Sequence, residues 1–111
     1  MARTLTQQLD SLKIPSINST SEQSADKHKV YARLFALGSA ATWLIIGYDP
    51  KDRMLFGYAD LYGGGDCAEW GYISLDELEA LKFGSIPKVE RDRSFKKQLF
   101  PLCVRENGAI I

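Results

Sequence analysis

Three β-rich runs, joined by turns too short to hold a helix, fill the middle of this chain and constrain its fold more than any other feature. Val30, Ala32, Leu34 and Ala36 alternate with Tyr31, Arg33, Phe35 and Leu37. A period of two suits a strand buried on one face, although the alanine and leucine content would also fit a helix; we read it as a strand. Gly38-Ser39 supplies a turn into Thr42-Trp43-Leu44-Ile45-Ile46-Gly47-Tyr48, a run apolar enough to be central in a sheet. Asp49-Pro50-Lys51-Asp52 turns the chain again, since proline presets φ and aspartate can bond the backbone beyond it. The returning strand is Met54 to Leu61.

The flanks read differently. Leu5, Leu9 and Leu12 recur at i, i+4 and i+7 on one face of a short helix, Thr4 and Gln7 form a capping box at its start, and Pro15 stops it. From Ser16 to Asp26 there is little to bury, which predicts a solvated linker. Tyr62-Gly63-Gly64-Gly65-Asp66 is a loop, followed by a further strand from Glu69 to Ile73. Ser74-Leu75-Asp76-Glu77 then caps a helix through Lys82 with Leu75, Leu78 and Leu81 as its buried stripe, ended by Gly84 and Pro87. Val89 to Phe95 reads as a charged edge strand, Leu99 to Val104 as a docked apolar tail, and Arg105 to Ile111 as a fraying end. Together these predict an α+β domain. It has a small antiparallel sheet of about four strands, an N-terminal helix, and a helix after the third or fourth strand, all on one face. A chain of 111 residues holds one such domain, divided into a helix and linker (1–25), a core (26–95) and a C-terminal tail (96–111).

Charge and cysteine usage exclude several function classes. Lys plus Arg and Asp plus Glu are 14 each, so no global field draws the chain to nucleic acid or anionic lipid. The longest apolar stretch, Trp43 to Ile46, is too short to span a bilayer, and the first residues lack a signal peptide's apolar run. These features predict a cytoplasmic protein without membrane contact. Cys67 and Cys103 are 36 positions apart with no CxxC, which in a reducing compartment predicts two free thiols. His28 is the only histidine, too few for a zinc tetrahedron, and at a strand start it reads as a partly exposed group. Asp66 follows the three glycines where a phosphate loop would need lysine and a hydroxyl. No cofactor and no metal are expected.

Two further clusters carry chemistry. Asp49, Asp60, Asp66 and Glu69 could in principle assist a metal-dependent hydrolysis, but Asp49 and Asp66 sit where turns favour aspartate for backbone reasons. Lys88, Arg91, Arg93, Lys96 and Lys97 form a basic run that could touch phosphates, yet Glu90 and Asp92 interrupt it as in an ordinary solvated edge. From Asp26 to Phe83 there are six Lys/Arg against nine Asp/Glu, and after Phe83 six against three. The sheet body is therefore acidic and poorly suited to a polyanion.

The stretch Glu69-Trp70-Gly71-Tyr72-Ile73-Ser74-Leu75-Asp76-Glu77-Leu78 resembles the E-L-G-Y-F-S-L-x-E-L signature of an uncharacterised family of small bacterial, plasmid and phage proteins, domain of unknown function 2958. Thr42-Trp43 with Tyr48-Asp49 is similar to that family's W-T-W strand and acidic turn, and Leu55-Phe56-Gly57 to its F-F-G-L strand. Ile86-Pro87-Lys88-Val89-Glu90-Arg91-Asp92 is similar to its L-P-I-E-R-D end, with Lys88 inserted. The likeness runs roughly from Asp26 to Phe95. It implies residence on mobile or phage DNA, where small accessory proteins act on host machinery, and it brings no catalytic residue. The expectation is a non-catalytic factor that binds a host or element-encoded protein through Trp43, Tyr48, Asp49, Asp66, Glu69, Trp70 and Tyr72, rings on an uncovered sheet face beside acidic loops. Nucleic-acid association through the basic run is the alternative.

Overall fold

The computed structural model describes residues 4–19 and 27–111. Helix α1 (Leu5–Asp10) opens at Thr4, whose hydroxyl accepts the Gln7 amide while the Gln7 side chain accepts the Thr4 amide, so the expected capping box forms. A 3-10 turn (Ile17–Ser19) follows and buries Ile17, so that part of the linker is anchored; residues 20–26 of the expected linker lie outside the described residues.

The strands are β1 (Lys29–Val30), β2 (Ala32–Ala36), β3 (Thr42–Asp49), β4 (Met54–Asp60), β5 (Glu69–Ser74), β6 (Lys82–Phe83), β7 (Ile86–Pro87), β8 (Val89–Arg91) and β9 (Gln98–Leu99), with helix α2 (Leu75–Ala80) between β5 and β6. The main sheet has five strands in the order β5-β4-β3-β2-β8, every pair antiparallel, which makes the domain α+β as expected with one strand more. Ser74 accepts the Glu77 amide and starts α2. The helix stops at Ala80 instead of Lys82, because the chain folds into the β6–β7 hairpin around Gly84, whose φ of 61° suits a residue without Cβ. The charged edge strand β8 ends at Arg91 rather than Phe95.

Both faces of the sheet are covered, which overturns the expected bare face. On one side Leu5 and Leu9 of α1 and Leu75 and Leu78 of α2 pack on Leu34, Trp43, Ile45 and Leu55. On the other, Val30, Leu44, Ile46, Phe56 and Tyr58 are covered by Phe95, Phe100, Cys103 and Ile110. The tail therefore does not fray. Val104 bridges Ile110, Ala109 is buried, and the Tyr58 hydroxyl donates to the Gly108 carbonyl at 2.6 Å. His28 is caught in the same closure and is 3% exposed, its ring 5.0 Å from that of Trp70, where a surface position was expected. The Phe100 amide donates to the His28 carbonyl and locks the two segments together.

A bulge between Ile45 and Gly47 shifts the β3–β4 register and decides which rings go where. Before it, Trp43 and Ile45 face the helices; after it, Tyr48 does too, although strict alternation would place it opposite them. Among the described residues no helix is long and apolar enough to cross a membrane. Cys67 is exposed, Cys103 is buried, and both are free.

Candidate functional site

The two edges of the sheet are unlike. Strand β8 is three residues long, follows Pro87 and carries Glu90 and Arg91, features that discourage pairing with another chain. Strand β5 is six residues long, pairs on one side with β4 and, among the described residues, has no strand on the other. Its only charge is Glu69, at its start.

The loop that delivers the chain to β5 is wound around a buried carboxylate. Asp60, 1% exposed, accepts the Gly63 amide at 2.9 Å and the Gly65 amide at 3.1 Å. Gly65 has φ of 84°, and a Cβ there would stand 2.6 Å from the Asn107 carbonyl oxygen, so the loop is fitted against the tail as well. Asp66, Cys67 and Tyr62 are held outward.

Along β5 the side chains divide by face. Trp70 is half-buried between Tyr58 and Phe100, at 5.3 and 4.6 Å between ring centroids. Tyr72 leans on Phe56 at 5.5 Å yet remains 66% exposed. On the opposite face Gly71 leaves open space beside Ile73, and a groove of about 390 Å³ runs there between the strand and α2. Trp43, Leu61, Ile73, Leu78 and Leu81 give it apolar walls, and Glu69 and Glu77 give it acidic ones. The site can therefore offer an edge of backbone, one exposed ring, an apolar slot and carboxylates.

Of the residues expected at a partner surface, the structure gathers Asp66, Glu69, Trp70 and Tyr72 at this edge and its loop. Trp43, 6% exposed, contributes to the groove from the core beneath. Tyr48 does not contribute: it is 3% exposed and its hydroxyl donates to Asp10 Oδ1 at 2.7 Å, with burial first and that bond second pushing its pKa up to about 12. Asp49 accepts the Ile17 amide and sits across from Met54, at the end of the sheet away from Asp66. Leu81, expected in the buried stripe of α2, lies past the helix end and is 42% exposed, and Leu61 is 45% exposed; neither was expected at a site, and the signal for them is Gly71, a strand position without a side chain to fill the slot.

The basic run is not one ridge. Arg91 Nε donates to Gln8 of α1 on the helical face and Lys88 lies over the Phe83 ring, whereas Lys96 and Lys97 line a cavity with Leu44 on the tail-covered face. Arg93 is exposed and lines a groove with Leu5, Gln8 and Arg91 on the α1 side. Asp49, Asp60, Asp66 and Glu69 do not converge either, and among the described residues no three His, Cys, Asp or Glu side chains are grouped to hold a metal. Burial pushes the Cys103 thiol up to about 11, which keeps it protonated at neutral pH and unsuited to nucleophilic work. No curated protein and no solved structure matches this chain. The model of one family, described as Protein of unknown function (DUF2958), matches residues 4–109 and so takes in α1 and the tail as well as the central sheet: the chain belongs to that family.

Proposed function

We propose that this domain is a non-catalytic protein-binding module, an accessory factor of a mobile element or phage, that takes a host or element-encoded protein along the free edge of β5. The observation that carries this reading is the contrast between the two sheet edges. One is short and charged, and the other is long, nearly uncharged and flanked by Tyr72 and an apolar groove. Exposed tyrosine beside such a slot is the kind of anchor on which protein interfaces concentrate their binding energy.

A photo-crosslinking residue placed at Tyr72 tests it, with the same group at Lys51, a turn residue, as control. In lysate of the host, capture of a defined protein from position 72 and not from 51, abolished by Glu69→Lys, is the expected outcome. Equal capture from both positions would refute the β5 edge as the contact surface.

A further inference from the structure

We propose that the cavity between β2 and the segment 92–98, on the tail-covered face, is a binding site for a small organic anion with an apolar body. Its volume is about 710 Å³ and its lining is two-sided. Leu44, Phe95, Cys103 and Ile110 offer an apolar surface, while Arg33, Lys96 and Lys97 bring three cations against one acidic side chain, Asp92.

That carboxylate does not neutralise the set. Asp92 Oδ1 is taken by the Ser94 amide at 3.0 Å and the Ser94 hydroxyl at 2.7 Å, and these bonds hold its pKa below the ordinary value. Oδ2 meets Arg33 through one terminal nitrogen at 3.4 Å, a long contact for an ion pair. Arg33 Nε is covered from water and, among the described residues, has no hydrogen-bond partner. The Arg33 side chain is 25% exposed, so only this N–H is covered, and a covered donor without an acceptor calls for an explanation that an anionic head group supplies. Drawing the guanidinium off its long Asp92 contact would present Nε and a terminal nitrogen as a fork, the geometry a carboxylate or phosphate accepts. Lys96 and Lys97 form no ion pair among the described residues, and Lys97 Nζ rests 5.3 Å over the Tyr31 ring at the same end. The apolar body of the ligand would lie on Phe95, Leu44 and Ile110.

Titration of the isotope-labelled protein with octanoate, followed by NMR, tests the site, with octanol and inorganic phosphate as separate arms. The expected result is movement of the Arg33 Nε–H signal and of the Lys96, Lys97 and Ile110 amides, saturating at about 1 mM or below. Arg33→Gln should weaken binding about tenfold, and Lys97→Gln, an exposed position that leaves the core intact, about threefold. Octanol binding as tightly as octanoate would overturn the proposal, as would the same shifts with phosphate alone, or no saturable shift with octanoate. The cavity is separate from β5, so neither result bears on the edge-binding reading.

Discussion

Asp60 shows how a single side chain can be mistaken for chemistry. It belongs to the acidic set that might serve a hydrolase, but both its oxygens are spent on the amides of Gly63 and Gly65. Asp60→Ala would leave those amides without an acceptor, and denaturant unfolding should show a loss of about 1–3 kcal/mol. Tyr48 offers a second test, through pH. Its folded pKa of about 12 lies above the ordinary 10.0, so between those values the unfolded state has lost a proton that the folded state keeps. Stability is thus fully present below pH 10 and falls as pH rises toward 12. Tyr58, raised in the same direction by burial, adds to the slope. Tyr48→Phe should cost about 1 kcal/mol at neutral pH for the lost bond to Asp10, and should flatten the alkaline decline measured by urea unfolding. Such roles are poorly legible in a sequence, because an aspartate that caps a loop and one that binds a metal are the same letter. The Ser74 cap and the Leu5 and Leu9 stripe were legible, since each declares itself through spacing alone.

At the scale of elements, alternation, β-rich runs and turn signals located every strand of the main sheet, but they did not say which face each ring takes, and in β3 the backbone breaks its own period. The bulge after Ile45 adds one residue to β3, so Tyr48 joins Trp43 in the helical core. A one-residue insertion leaves no mark on composition, and its nearest sign is on the partner strand. Gly57 pairs with Ile45, and a Cβ there would stand 2.0 Å from the Leu44 carbonyl oxygen. Gly57→Ala should therefore force β3 and β4 apart, destabilising the fold by more than about 3 kcal/mol. Hydrogen exchange of the Leu44 to Gly47 amides would rise first if the bulge is the weak point. Edge strands are equally hard to tell from central ones by pattern. Glu69-Trp70-Gly71-Tyr72 reads as half-buried, and only the strand order reveals that its outer side has no partner among the described residues.

Over the whole molecule the sheet is a partition between two cores, and each holds one tryptophan: Trp43 on the helical side, Trp70 on the tail side. Because the same strands form the wall of both, the cores should melt together. Trp43→Phe and Trp70→Phe proteins, each reporting on the remaining ring by fluorescence, should retain single unfolding transitions, with equal fluorescence and circular-dichroism midpoints in each variant. Separated transitions within a variant would mean that the tail side opens alone. Part of the second core was legible, since the apolar run Leu99 to Val104 was expected to dock and Phe100, Cys103 and Val104 do pack there; Phe95 and Ile110 were not, because they lie in irregular chain with no period to announce their destination. The family match, which runs through residue 109, agrees with the tail being part of the fold. The closure of the aromatic side by residues 95–110 also sets an order of events during synthesis. Until those residues clear the ribosome, Phe56, Tyr58 and Trp70 pack on one another and on His28 but lack their cover of Phe95, Phe100 and Ile110. A growing chain thus shows chaperones a greasy surface that the finished protein hides.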